Sequence, residues 1–241
     1  ISAAIDRDAI VKLVYQGRGA GIVSQVTPGN KRWIDPKVSV PKRDLAHAKD
    51  LLRQAGFTWT GTQLRDPSGT PVAFSIIAPS NNSARVQMAT LMQNDLKDIG
   101  IDAAVVPLEF RSLLDRVTNT HDYDAAIMGF GSGDVDPTAE MNVWMSSGST
   151  HLWHQGEKPA GGWQAEIDRL MQAQMVTLDY RKRKQQYDQV QELVAENLPI
   201  VPLASPDILV GAKKAIGNFK PAILDHYTLS NVEELFWRGT Q

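Results

Sequence analysis

Between residues 72 and 128 the chain alternates two hydrophobic periods, and that alternation limits the fold more than any other feature. Residues 72–78 form a short, nearly continuous apolar run, the pattern of a strand buried on both faces. After Pro79-Ser80-Asn81-Asn82, Ser83 is placed to cap a long helix. Met88, Leu91, Met92, Leu96 and Ile99 run through that helix until Gly100 stops it. Residues 101–106 read as the next strand, 109–117 as a second helix and 123–128 as a third strand. Strand, helix, strand, helix, strand at this spacing means parallel βαβ units with right-handed crossovers. The expected fold class is α/β, a mixed sheet with parallel core strands and flanking helices. Such sheets bind ligands beyond the carboxyl ends of their strands. Here those ends are Asn81-Asn82-Ser83, Leu108-Glu109-Phe110 and residues 129–137.

The flanking segments are less periodic. Asp6 is placed to cap a first helix carrying Ile10, Val11, Leu13 and Val14, ending at Gly17 or Gly19. Residues 18–42 hold Gly19, Gly21, Pro28, Gly29, Pro36 and Pro41 without a period, so a long loop is expected. A helix over 44–55 follows, with Leu45, Ala48, Leu51 and Leu52 on one face and Gly56 as its stop. Asp66-Pro67-Ser68-Gly69 is turn chemistry suited to joining two strands. Residues 145–162 read as a loop, 164–175 and 179–197 as helices, and 200–203 and 208–210 as short strands. Past Gly211 the pattern weakens, although Val232, Leu235, Phe236 and Trp237 need cover. Residues 212–241 should therefore be poorly ordered, or pack on this unit or on a second copy.

Charge and composition exclude several function classes. Lys and Arg number 25 against 27 Asp and Glu, for a net charge of -2, so there is no general basic field for nucleic acid. No run approaches the length of a membrane-crossing helix. The absence of cysteine removes disulfides, thiolate metal sites and cysteine nucleophiles together. The first residue is Ile1, and helical sequence follows within a few residues, as expected of a segment cut from a longer chain.

The most unusual stretch is Gly131-Ser132-Gly133-Asp134-Val135-Asp136-Pro137, directly after the third strand. Its glycines allow close backbone approach by a ligand, and Asp134 and Asp136 could attract an amine or a cation. Alternatively, Asp136 caps a helix that begins at Pro137. The stretch lacks the Lys-Ser/Thr ending of a phosphate loop, and its acids would repel phosphate. Trp144, Trp153 and Trp163 gather in and around the next loop; Trp144 reads as core, while Trp153 suits either the core or a ligand wall. His151 and His154 have helical metal spacing but no third ligand in a motif relationship, so neither a metal nor another cofactor is implied. Arg181-Lys182-Arg183-Lys184 reads as a solvated helical face. There is no G-x-S-x-G elbow and no H-E-x-x-H. An enzymatic alternative would be a hydrolase or transferase using Asp134 and Asp136 with His151 or His154, which needs a carboxylate and an imidazole within about 3 Å.

Several ordered motifs carry a family resemblance. Ala4-Ile5-Asp6-Arg7-Asp8-Ala9-Ile10 resembles the opening of the C-terminal half of family 5 extracellular solute-binding proteins, the dipeptide-, oligopeptide- and nickel-binding components of bacterial ABC importers. In order follow Gly17-Arg18-Gly19-Ala20, Ala48-Lys49-Asp50-Leu51-Leu52-Arg53-Gln54-Ala55-Gly56-Phe57, and Arg85 ahead of Leu91-Met92-Gln93-Asn94-Asp95-Leu96. Tyr123-Asp124, Asp136-Pro137, Glu166-Ile167-Asp168 and Glu196-Asn197-Leu198-Pro199 complete the series.

The resemblance implies a periplasmic-binding-protein-like lobe, truncated relative to a two-lobed protein that closes by hinge motion. On this basis residues 1–205 are the C-terminal ligand-binding lobe, whose early loop 18–42 contacts the missing lobe. Residues 206–241 are a tail returning to that missing N-terminal lobe. It also implies a non-enzymatic role in importing a small polar solute such as a peptide. Permease subunits would be partners, and the location periplasmic or extracellular, with or without a lipid anchor. Ligand-binding residues implied are Gly131, Ser132, Gly133, Asp134, Arg85 and Trp153. In peptide-binding relatives an aspartate after this strand anchors the peptide amine. Alignment on Gly129 and Asp136-Pro137 puts Gly133 there, with Asp134 one residue later. Arg85 could pair with a ligand carboxylate or make a surface ion pair.

Overall fold

A computed structural model describes residues 1–131, 134–154, 156, 159, 161–222 and 228–239. The chain divides into two compact units. Unit 1 holds Ile1–Gln25, Val38–Phe130 and Leu198–Ser205; unit 2 holds Val26–Lys37, Gly131–Asn197 and Pro206–Gln241.

Unit 1 is built on three parallel strands: β4 (Ala73–Pro79) lies between β5 (Asp102–Leu108) and β6 (Ala125–Ala126). Ile76 of β4 faces Val105 on one side and Ala125 on the other, and Ile77 faces Val106 and Ala126. Ile76, Ile77 and Ala78 are all buried, which explains why this strand is a continuous apolar run without alternation. The third strand is shorter than the apolar run at 123–128. The Asp124 carboxylate accepts from both the backbone N–H and the hydroxyl of Ser75, at 2.8 Å each, in place of a backbone ladder. A side chain has taken the donor that a longer β6 would use.

Helix α3 (Ser83–Lys97) connects β4 to β5 and buries Met88, Ala89 and Leu96 in the core with Ile99, Ile101 and Ala103. Its cap is Asn82, whose side chain accepts from the Arg85 N–H at 3.0 Å, while Ser83 is already the first helical residue. Both residue types cap well, so the adjacent pair leaves the register to geometry. Helix α4 (Phe110–Asp115) is capped by Glu109 and gives way to a π-helical turn at Arg116–Thr120. The run Val117-Thr118-Asn119-Thr120 is poor in helix formers, which fits the early loss of α-geometry.

Helix α1 (Arg7–Val14) starts at Asp6, which accepts from the Ala9 N–H at 2.8 Å, and it buries Ile10. Helix α2 (Leu45–Gln54) is capped by Asp44 and buries Ala48, but Leu51 is 46% exposed and does not belong to the inward face. The hairpin β2 (Thr58–Thr60) with β3 (Gln63–Arg65) turns at Gly61-Thr62. The turn at Asp66–Gly69 leads only to a single bridge between Arg65 and Pro71. Short strand β1 (Gly19–Gly21) pairs with β7 (Ala204–Pro206), so the strand expected at 200–203 forms a few residues later.

Unit 2 holds the short helix α5 (Met141–Trp144) and is dominated by α6 (Gly162–Val176) and α7 (Tyr180–Asn197). Ile167, Leu170, Met171 and Gln174 are buried on α6; Tyr187, Val190, Gln191 and Val194 are buried on α7. Both sets have the spacing i, i+3, i+4, i+7, a single helical stripe. Part of the early loop packs here: Trp33 is buried edge-on to Tyr180 (5.4 Å) and Tyr187 (6.1 Å). Gln191 donates to the Trp33 carbonyl and accepts from the Asp35 N–H, so its buried amide is used at both ends.

Residues 208–210 form no strand, and Ile208, Leu209 and Val210 are exposed. In the tail, β8 (Ile216–Gly217) pairs antiparallel with β9 (Phe236–Trp237). The Phe236 ring occupies the space a side chain on Gly217 would need, yet Phe236 and Trp237 remain 57% and 63% exposed.

Candidate functional site

In unit 1 the carboxyl edge of the parallel sheet presents Arg85 one turn into α3. The Asn82 cap fixes the start of that helix and hence the position of the arginine. The guanidinium lies against Gly129, just beyond β6: a Cβ there would fall 2.2 Å from Arg85 Nη2. Glycine at 129 is thus what lets the cation sit across the strand end. Tyr15 is nearby; burial pushes its phenol up and the Arg85 charge pulls it back. Among the described residues no carboxylate pairs with Arg85. A cation placed beside a helix N-terminus at a strand end favours an anionic group.

In unit 2 the segment after the sheet runs from Gly131 to Pro137. Ser132 and Gly133, both expected to bind ligand, lie outside the described residues. Gly131 is exposed, with nothing within 4 Å of where a Cβ would be. Asp134 is exposed, and its carboxylate accepts from the Val135 N–H at 2.6 Å.

Asp136 caps the 3-10 turn Pro137–Glu140, accepting from the Thr138 N–H at 3.0 Å. The same carboxylate receives a fork from Arg183, Nη1 at 2.8 Å and Nη2 at 2.5 Å. Partial burial alone would raise the Asp136 carboxyl, but the hydrogen bonds from Arg183 and Thr138 hold it below the ordinary carboxylate range. The solvated-face expectation for residues 181–184 is corrected accordingly. Arg181 and Lys182 are exposed, whereas the Arg183 side chain is only 19% exposed and Lys184 pairs with Asp188. Arg183 continues the stripe of Tyr187, Val190 and Val194, so helical period alone places it inward. That signal, with an uncompensated acid at Asp136, could have revealed the pair from sequence.

Trp153 is half-buried and stacks on Trp163 (5.7 Å, 16° between planes), with Trp144 6.3 Å away. Its indole N–H donates to the Val143 carbonyl at 2.9 Å, and His151 Nδ1 is 3.0 Å from the same oxygen. His151 is buried, which lowers its pKa and keeps the ring neutral near pH 7. The structure therefore brings Trp153 together with Trp144, Trp163 and His151 as one aromatic block. Ser146 supports that loop from below by giving its N–H (2.7 Å) and hydroxyl to Asp168. An acid–base couple of Asp136 with His151 is not formed: the first is held by Arg183 and the second faces a backbone carbonyl. Among the described residues, no cluster of three or more His, Asp or Glu has metal-binding geometry.

Comparison with known proteins places these features in a family. Residues 1–151 match the model of the middle region of bacterial extracellular solute-binding proteins, family 5. The chain is 27% identical over 220 residues to di/tripeptide-binding protein 1 of Pseudomonas aeruginosa, covering 91% of this chain and 38% of that protein. Among solved structures it resembles the oligopeptide-binding protein AppA of Bacillus subtilis in complex with a nonapeptide, with a TM-score of 0.75 and 24% identity over 99% of this chain and 46% of that one. It also resembles NikA of Brucella suis in complex with Fe(III)-EDTA, with a TM-score of 0.78 and 20% identity over 98% of this chain and 46% of that one. The two structural likenesses establish the periplasmic-binding-protein fold, and the chain spans less than half the length of each of these proteins.

Proposed function

Because this chain belongs to family 5 of the bacterial extracellular solute-binding proteins, we propose that it is the C-terminal ligand-binding lobe of an ABC importer's solute receptor. Its solute is small and polar, a short peptide above all, and it reaches the protein in the periplasm or outside the cell. Permease subunits and an N-terminal lobe are its partners. The activity is binding: a ligand bridging two lobes shifts an open–closed equilibrium by its differential affinity for the closed form.

The observation that carries this function is Arg85. Its guanidinium sits at a strand end, seated against a glycine, without a carboxylate partner among the described residues. It is assigned to the ligand's carboxylate, a charge-assisted and potentially bidentate contact. Gly131, Ser132, Gly133, Asp134 and Trp153, all of unit 2, are proposed independently as ligand contacts, with the Asp134 carboxylate suited to an amine.

Thermal-shift and calorimetric titration of the full-length protein with dipeptides, sugars and nickel tests the assignment. Dipeptide should raise the melting temperature, and its C-terminal amide should bind at least tenfold more weakly, the loss expected for about 1.4 kcal/mol. Equal binding of dipeptide to the wild-type protein and to Arg85→Ala would overturn the role of Arg85. No binding of any peptide would overturn the function itself.

A further inference from the structure

From the arrangement within unit 2 we infer that the turn between α6 and α7 is a membrane-docking surface, shaped to rest on a bilayer that contains anionic phospholipid. Val176 ends α6, and Leu178 stands in the connection to α7. Neither belongs to the buried stripe of α6, and they are 76% and 101% exposed, so nothing covers Leu178 at all. Four exposed cations surround this apolar tip. Arg181 and Lys182 lie in the first turn of α7, and Lys31 and Arg32 come from the early loop. Tyr180 ties that loop to the same place: its hydroxyl donates to the Arg32 carbonyl at 2.7 Å, and the Arg32 guanidinium lies over its ring, 4.9 Å from the centroid.

Folding asks for neither the cations nor the apolar tip. A helix N-terminus carries partial positive charge and prefers acids, yet the first turn of α7 holds no acid and two cations. Arg183 and Lys184 are met by Asp136 and Asp188, whereas among the described residues Lys31, Arg32, Arg181 and Lys182 make no ion pair. Asp179 is the one acid of the connection, and its carboxylate accepts from the Lys182 N–H at 2.8 Å at the start of α7. Positive charge therefore gathers around exposed Val176 and Leu178, in a chain whose net charge is -2.

A basic rim around an apolar tip complements an anionic lipid interface. The cations meet headgroup phosphates, while Leu178 and Val176 reach the acyl boundary beneath them. Tyr180, 40% exposed, suits the level between the two. An acidic protein would satisfy the cations but would need a pocket fitted to the projecting leucine; a bilayer receives it without one. Two apolar side chains and four cations make a weak, reversible contact, not an anchor. The contact belongs to unit 2 alone and does not depend on which solute is bound.

The test measures partition of the full-length, unacylated protein onto sedimented vesicles, either phosphatidylcholine alone or equal parts phosphatidylcholine and phosphatidylglycerol. The wild-type protein should prefer the anionic vesicles and lose that preference between about 0.05 and 0.5 M salt, as screening shortens. Leu178→Asn should weaken partition about 3- to 10-fold, the loss of one partly inserted side chain. Arg181→Glu combined with Lys182→Glu should weaken it by about 25-fold or more, at about fivefold for each cation removed. Both variants change exposed side chains, and glutamate suits a helix start, so melting temperatures should hold. No binding of the wild-type protein to anionic vesicles would overturn the inference. So would charge reversal that matters while Leu178→Asn does not, because that is general electrostatic adsorption. Capture only by vesicles carrying the reconstituted importer would make the surface a protein interface, and would overturn the bilayer reading as well.

Discussion

Replacing Gly129 by alanine should move stability and affinity in opposite directions. The new Cβ would stand 2.2 Å from Arg85 Nη2 and 3.0 Å from its central carbon, where ordinary contact begins near 3.4 Å. The guanidinium must retreat by roughly an ångström, enough to break a hydrogen bond to a ligand held at its usual distance. The obstacle is the far end of a flexible side chain, and Gly129 has no positive φ, so the fold accommodates alanine. Loss of backbone freedom in the unfolded chain should even stabilise it, by about 0.4–1 kcal/mol. A hydrogen bond to a charged group contributes about 1.5–3 kcal/mol, or about 10- to 150-fold in affinity. Because the cation is displaced but retained, Gly129→Ala should sit near the tenfold end and Arg85→Ala near the upper end. Calorimetry of the full-length protein with a dipeptide and its C-terminal amide separates the effects. The double variant should lose no more than Arg85→Ala alone, since both act through one contact. An equal loss for the amide, or strictly additive losses, would refute the placement of Arg85 on the carboxylate.

Three further substitutions probe other parts of the chain. Gly100→Ala combines a φ of +89° with a Cβ 2.5 Å from the Thr62 carbonyl oxygen and 2.8 Å from the Leu64 nitrogen; it should cost about 2–6 kcal/mol in urea unfolding, and a loss under about 1 kcal/mol would contradict the packing. His151 has a pKa lowered by burial, so its contribution should be fully present above about pH 6.5 and fall as pH drops toward the folded value. In melting curves across pH 4–8, His151→Gln should flatten that slope, and an unchanged slope would place the titration elsewhere. Asp136 has a lowered pKa, so its contribution is present above the ordinary carboxylate range and lost as pH falls through the folded value. Asp136→Asn should destabilise unit 2 at pH 7 by about 1–3 kcal/mol, with the difference from wild type shrinking below about pH 4 in acid unfolding.

Much of unit 1 was legible because its strands and helices differ in period. The nearly continuous apolar run at 72–78 reads as a strand covered on both faces, α1 carries its cap in sequence, and α3 carries its stop. Errors came where side chains compete with backbone. Asp124 shortened β6 by taking the Ser75 N–H, and Asn82 outcompeted its neighbour as a cap. Such choices depend on distances that hydrophobic pattern does not encode. The tail was illegible for another reason: Phe236 and Trp237 stay largely exposed, so no buried face imposed a period on it.

The candidate site shows how charge can be read more sharply than by counting runs. Four successive cations on a helix cannot share one environment, because successive side chains are about 100° apart. Extending the buried stripe of Tyr187, Val190, Gln191 and Val194 back by one turn reaches Arg183 and Lys184 among the four, whose side chains are 19% and 18% exposed. Lys184 is met by Asp188 one turn along its own helix, so the counterion of Arg183 is sought among acids in capping positions, where Asp136 before Pro137 is one candidate and Asp179, already at the start of α7, is another. The pairing changes the chemistry of the 131–137 segment. An acid that both caps a turn and holds an arginine is neutralised in place, so the amine-binding role assigned to this loop falls on Asp134 and the glycine backbone. If Asp134→Asn left dipeptide affinity unchanged while Asp136→Asn abolished it in a folded protein, that division of roles would be wrong.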